Sequence, residues 1–212
     1  MGKHLSDRQK EDALGMVRHL QTMLAYQQLA METYNDAAAT AAAEGQYGDE
    51  LTERGSLNFY QPTLVVQHVI PAVAKKIEIF ELMGKRHREM RNLATASFGK
   101  PYQEMAAAID TMLERARLQY RGFEQWVKNP EVDVDTTRFD RDESGAIDRA
   151  VKALNELIVK ESGLTQDEWL DIVQESFNSV RASLQLIPLS RDVFRSRYMR
   201  GIRGERPRFF KD

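Results

Sequence analysis

Between Pro71 and Phe98 the chain places a residue of the buried type at every third or fourth position: Val73, Ile77, Phe80, Gly84, His87, Met90, Ala94 and Phe98. That interval puts them on one stripe of an α-helix, the stripe that packs against the rest of a protein. Lys75, Lys76, Glu78, Lys85, Arg86, Arg88 and Glu89 occupy the other faces. Gly99 can take the left-handed conformation that closes a helix and Pro101 forbids continuation, so the helix is predicted to stop at Phe98. At about 1.5 Å per residue it spans roughly 40 Å, long enough for neighbours to pack along both sides.

The same periodicity recurs on either side. From Ser6 to Glu44 the positions Ala13, Val17, Leu20, Leu24, Met31 and Tyr34 keep helical spacing, Ser6 with Gln9 forms a capping box, and Gly45 is a stop. The end of this helix, residues 35–45, is nearly all small residues, which lets another backbone come close but leaves so little apolar surface that fraying is an equal expectation. Residues 45–61 read as a loop tucked down by Phe59 and Tyr60. Residues 63–71, TLVVQHVIP, are β-branched enough for a short strand, but their continuation into the long helix favours a helical segment kinked at Pro71.

Tyr102 to Val127 is a further helix, with Met105, Ile109, Met112, Ala116, Tyr120, Phe123 and Val127 in register and Asn129-Pro130 as its end. A turn of two or three residues joins it to the central helix, which predicts an antiparallel helical hairpin. Another helix is predicted through Ile147, Val151, Leu154 and Ile158 to Gly163. The next opens on the capping box of Thr165 and Glu168 and carries Trp169, Ile172, Val173, Phe177, Val180 and Leu184 before Pro188. Ser190 caps a short helix, after which Gly201, Gly204 and Pro207 loosen the end. The expected fold is all-α: an elongated bundle of about five helices over residues 1–190, subdivided near 130–143, with a basic aromatic arm at 191–212.

A chain of 212 residues buries roughly 70% of its unfolded surface as one domain, so no staples are needed. Cysteine is absent, which removes disulfides, thiolate nucleophiles and cysteine-held metals. The N-terminus lacks the apolar run of a signal peptide and no stretch has the length of a membrane span, so the expectation is a soluble protein, cytoplasmic or within a particle. Met1, Gly2 and Ser6 fit the loose myristoylation pattern, a reading outweighed by the role of Ser6 as a cap. The net charge is −2 but uneven: residues 191–212 carry +5, the rest −7, and the loop 131–143 alone −4.

Local chemistry is sparse. Asp140 to Val151 resembles a twelve-residue EF-hand calcium loop, with Asp140, Asp142 and Ser144 at the first, third and fifth positions, Gly145 at the turn and Asp148 at the ninth. The twelfth position, which should be a bidentate Glu, is Val151, so the loop is short of oxygens. It reads first as an acidic segment favouring the N-terminus of the following helix, with Ca²⁺ as the alternative. The residues three before His4, His19, His68 and His87 are Met1, Met16, Val65 and Gly84, which excludes the Glu-x-x-His pairs of di-iron bundles. His87, on the stripe, reads as a hydrogen-bonded core residue. Phosphate-loop, zinc-peptidase and nucleophile-elbow motifs are missing, and no cofactor is implied.

The arm interleaves seven arginines with Phe194, Tyr198, Phe209 and Phe210. Arginine and aromatics serve both single-stranded nucleic acid and protein interfaces, and the acidic body disfavours a polyanion. Arg195, Arg197, Tyr198, Arg200, Arg203, Arg206, Arg208, Phe209 and Phe210 are therefore expected to bind a partner protein or another copy. The expected function is a non-enzymatic assembly subunit of a homo-oligomer or larger particle, virion-type particles included. A nucleic-acid-associated protein and a calcium-tuned module are the alternatives.

Overall fold

The computed structural model describes residues 6–44, 61–90, 99–130, 164–205 and 207–211. Among them stand five helices and no strand: α1 (Asp7–Glu44), α2 (Ile70–Glu89), α3 (Gly99–Lys128), α4 (Gln166–Ser183) and α5 (Arg191–Ile202). The all-α bundle is as expected. The helix predicted through Ile147 to Gly163 and the acidic loop 131–143 lie outside the described residues.

The helices pack in the order α3, α2, α1, α4, with α5 on α4. α1 and α2 run antiparallel, since His19 meets His87 at one end and Glu44 meets His68 at the other. α2 and α3 form the predicted hairpin, also antiparallel: His87 contacts Tyr102, Glu81 contacts Arg117 and Lys76 contacts Gln119. α1 has neighbours on two sides and so buries more than one stripe, with Met16, Val17, Leu20, Met23 and Tyr26 in the main core beside His19 and Gln21. That core continues through Phe80, Met83, Ile109 and Met112 of the hairpin to Val173, Phe177 and Val180 of α4.

A smaller cluster at the far end unites Ala41, Val65, Val69, Val73, Phe123 and Trp126. Here, of the two outcomes the small residues of α1 left open, close packing is the one found: Ala41 is buried where a larger side chain would hold the valines off. The valine-rich run is helical, as favoured, and takes π-helical form at Val65–Val69, after one helical turn at Pro62–Leu64. The wider turn suits Pro71, which has no N–H to donate and whose ring crowds the carbonyl four residues back.

Two expectations about the hairpin need correction. α2 ends at Glu89, not Phe98, because Met90 leaves helical geometry and the carbonyl of His87 accepts from Met90 N at 3.2 Å and from the Tyr102 hydroxyl at 2.8 Å. Gly99 and Pro101 open α3 instead of closing α2, and residues 91–98, with Ala94 and Phe98 of the expected stripe, lie outside the described residues. Proline is at home in a first helical turn, where its missing N–H costs nothing. Lys76 also differs from its assignment to an outer face: it is half-buried, with Nζ 5.1 Å from the centre of the Tyr34 ring and 3.3 Å from Gln119 Oε1.

Candidate interaction site at the C-terminal strap

α4 begins at the capping box read from the sequence, Thr165 N donating to Glu168 Oε2 at 2.8 Å and Glu168 N to Thr165 Oγ1 at 3.3 Å. Its C-terminal half carries Phe177 and Arg181, and these, with two acids on α1, build the site. Ser190 caps α5 and Phe194, fully buried, fastens it to α4. After a turn in which Gly204 adopts φ +82, residues 207–211 return across α1 and α4 as a strap.

Glu32 accepts the main-chain N–H groups of Phe209 and Phe210, one on each carboxylate oxygen, at 2.7 and 3.0 Å. Arg181, buried within α4, donates to the carbonyls of Ile187 and Phe209. Asp36 pairs with Arg208 at 2.8 Å and Lys211 at 3.3 Å. Arg197 donates to the carbonyls of Arg208 and Lys211. The Phe209 ring lies 4.8 Å from Phe177 and 5.5 Å from Phe194, and Phe210 stacks 5.9 Å from Phe177.

Each residue assigned to the arm can now be placed. Phe209 and Phe210 are buried in the chain's own core. Tyr198 is half-buried and stacks on Phe194 at 6.0 Å. Arg195 lies 4.0 Å from Asp167, and Arg200 and Arg203 both pair with Glu205, whose carboxyl the Arg200 hydrogen bond holds below the ordinary range. Arg206 lies outside the described residues, as do Asp140, Asp142, Ser144 and Asp148 of the calcium-like loop. Among the described residues no group of three or more His, Asp or Glu side chains is placed to hold a metal. Nor, among them, is any helix long and apolar enough to cross a membrane.

Between α1 and the α5–strap segment runs an open groove of about 970 Å³, lined by Leu24, Gln27, Met31, Ile202, Pro207 and others. Gln27 Oε1 is buried there without a hydrogen-bond partner.

The second polar feature of the interior joins α1, α2 and α3. His19 Nε2 lies 2.8 Å from His87 Nδ1, and His87 Nε2 lies 2.9 Å from the carbonyl of Tyr102. A carbonyl only accepts, so Nε2 of His87 carries hydrogen; with both rings neutral, His87 Nδ1 accepts the Nε2 hydrogen of His19. Burial lowers the pKa of both rings, that of His19 to about 4 with a further contribution from His87. The core role expected of His87 is what the structure shows. Its partner was not foreseen, because nothing in the sequence marks His19 as facing a residue 68 positions away.

The fold and site define an all-α bundle clasped by its own C-terminal strap. No protein-family model, no curated protein and no solved structure matches the chain.

Proposed function

We propose that this protein is a non-enzymatic assembly subunit, making contacts within a homo-oligomer or larger particle through the surface of α5. One observation carries the reading. Phe194 and the strap anchor α5, yet it leaves Met199 40% and Ile202 63% exposed. Arg195, Met199 and Ile202 follow at intervals of four and three residues, so they form one line on the helix surface. Val193 is 42% exposed on the same short helix. Apolar side chains mixed with arginine on an anchored element match the composition of protein interfaces, where a preorganised surface loses little entropy on docking. The arm thus contributes to docking chiefly through α5, and its terminal rings contribute by fixing α5 in place.

Light scattering tests this. The wild type is expected above the monomer mass of 24.4 kDa, and Met199→Glu/Ile202→Glu, which alters only exposed positions, is expected to return it to the monomer. A wild type that stays monomeric at every concentration rules the reading out. Absorbance at 260 nm that co-purifies and is stripped by salt would assign α5 to nucleic acid instead.

A further inference from the structure

The strap is held the way a bound peptide is held. Its main chain is read by Glu32 and Arg181, its two rings by Phe177 and Phe194, and its flanking cations by Asp36. The contacts to α1 join residues from 172 positions apart, Asp36 and Arg208, to 179 positions apart, Gln28 and Pro207. In the link between α5 and the strap, Arg203, Gly204 and Glu205 make none of these contacts, Glu205 pairing instead with Arg200 and Arg203. Arg203, Gly204 and Glu205 are exposed, and the left-handed Gly204 is a pivot that glycine adopts without strain. The groove of about 970 Å³ leaves one flank of the strap open to solvent.

We propose that this seat on α1 and α4 also accepts the strap of a second copy, so that neighbouring subunits exchange straps. The proposal rests on the assembly reading above. The same contacts form in either arrangement, so exchange adds no interaction, and local concentration decides between them. A strap tethered beside its own seat competes at an effective concentration on the order of millimolar. Subunits packed in a particle reach that range, and a dilute solution does not. The partner is defined by its chemistry: a non-helical segment with a basic residue, two aromatic residues and a second basic residue, as in Arg208 to Lys211.

The chain contains no cysteine, so engineered thiols report one contact without interference. Three proteins are needed: Asp36→Cys, Lys211→Cys and the double variant, each treated with a bismaleimide long enough to replace the Lys211 side chain. The double variant in dilute solution is expected to link within one chain, as the 3.3 Å contact of these residues requires. The two single variants, mixed at concentrations approaching millimolar, are expected to yield a species of twice 24.4 kDa whose linked peptides join position 36 of one chain to position 211 of another. Excess synthetic peptide covering residues 203–212 should suppress it. A double variant that links in cis while the mixture shows no 36-to-211 link between chains overturns the proposal; failure to link in cis overturns it too, since the seat itself is then wrong. The outcomes stay distinct from those of the assembly reading. A wild-type mass above 24.4 kDa without the trans link keeps assembly and removes exchange, whereas a trans link in a chain otherwise monomeric keeps exchange and removes docking through α5.

Discussion

His19 and His87 show how much one buried contact constrains. The pair is 7% and 2% exposed, and its hydrogen bonds suit neutral rings. A proton on His87 Nδ1 would face the hydrogen that His19 presents, and a charged His19 would sit in an apolar core. In the unfolded chain both rings titrate near 6.5, and burial lowers both in the folded one, His19 to about 4, so below 6.5 the unfolded state binds more protons than the folded one. Their contribution to stability is therefore complete above pH 6.5 and is lost as the pH falls below it, for His19 as the pH approaches 4. For His19 the loss is on the order of 3 kcal/mol, at about 1.4 kcal/mol per pKa unit. His19→Gln, whose amide can still donate to His87 Nδ1, is expected to flatten that part of the profile. Urea midpoints measured from pH 7 to pH 4 decide it, and parallel profiles for wild type and variant would refute the assignment.

At the scale of elements, the stripe on α2 was legible because burial on one side imposes the helical period whatever the neighbour is. Val73, Phe80, Gly84 and His87 are all buried and Ile77 is partly so, whereas Met90, expected on the same stripe, is exposed where the helix ends. Phe80→Ala is expected to cost about 3 to 5 kcal/mol, through lost burial and the cavity left behind. Lys75→Ala, at an exposed position paired with Glu78 on the helix surface, is expected to cost under about 0.5 kcal/mol. Similar shifts in urea midpoint for the two would dismiss the stripe. The ends of the hairpin were not legible for a reason equally physical. Glycine and proline mark a boundary without saying which side of it the helix lies on, and here both belong to the start of α3.

For the whole molecule, the strap joins the last residues of the chain to α1 and α4. Phe209→Ala/Phe210→Ala removes two buried rings together and is expected to lower stability by at least about 3 kcal/mol. It should also free α5, whose Phe194 packs on Phe209: amide hydrogen exchange in α5 is expected to accelerate more than in α3. Uniform acceleration across all helices would mean that the strap supports the whole bundle and does not specifically hold α5.

The sequence by itself determined the helical class, the stripes of α2, α3 and α4, the capping box at Thr165, and the presence of a terminal segment rich in arginine and rings. These follow from local rules, in which a residue's neighbours three and four positions away settle its environment. The alanines of α1 left close packing and fraying equally open. Only the tertiary structure decided that Ala41 meets the valines of the π-helical turn, that His87 has His19 for a partner, and that Phe209 and Phe210 sit in the chain's own core. Composition makes an exposed binding arm and a self-docked strap look alike, because the same rings and guanidinium groups serve both. What separates them is the placement of Glu32, Asp36 and Arg181, two of them more than 170 residues away in sequence, at distances that only folding sets.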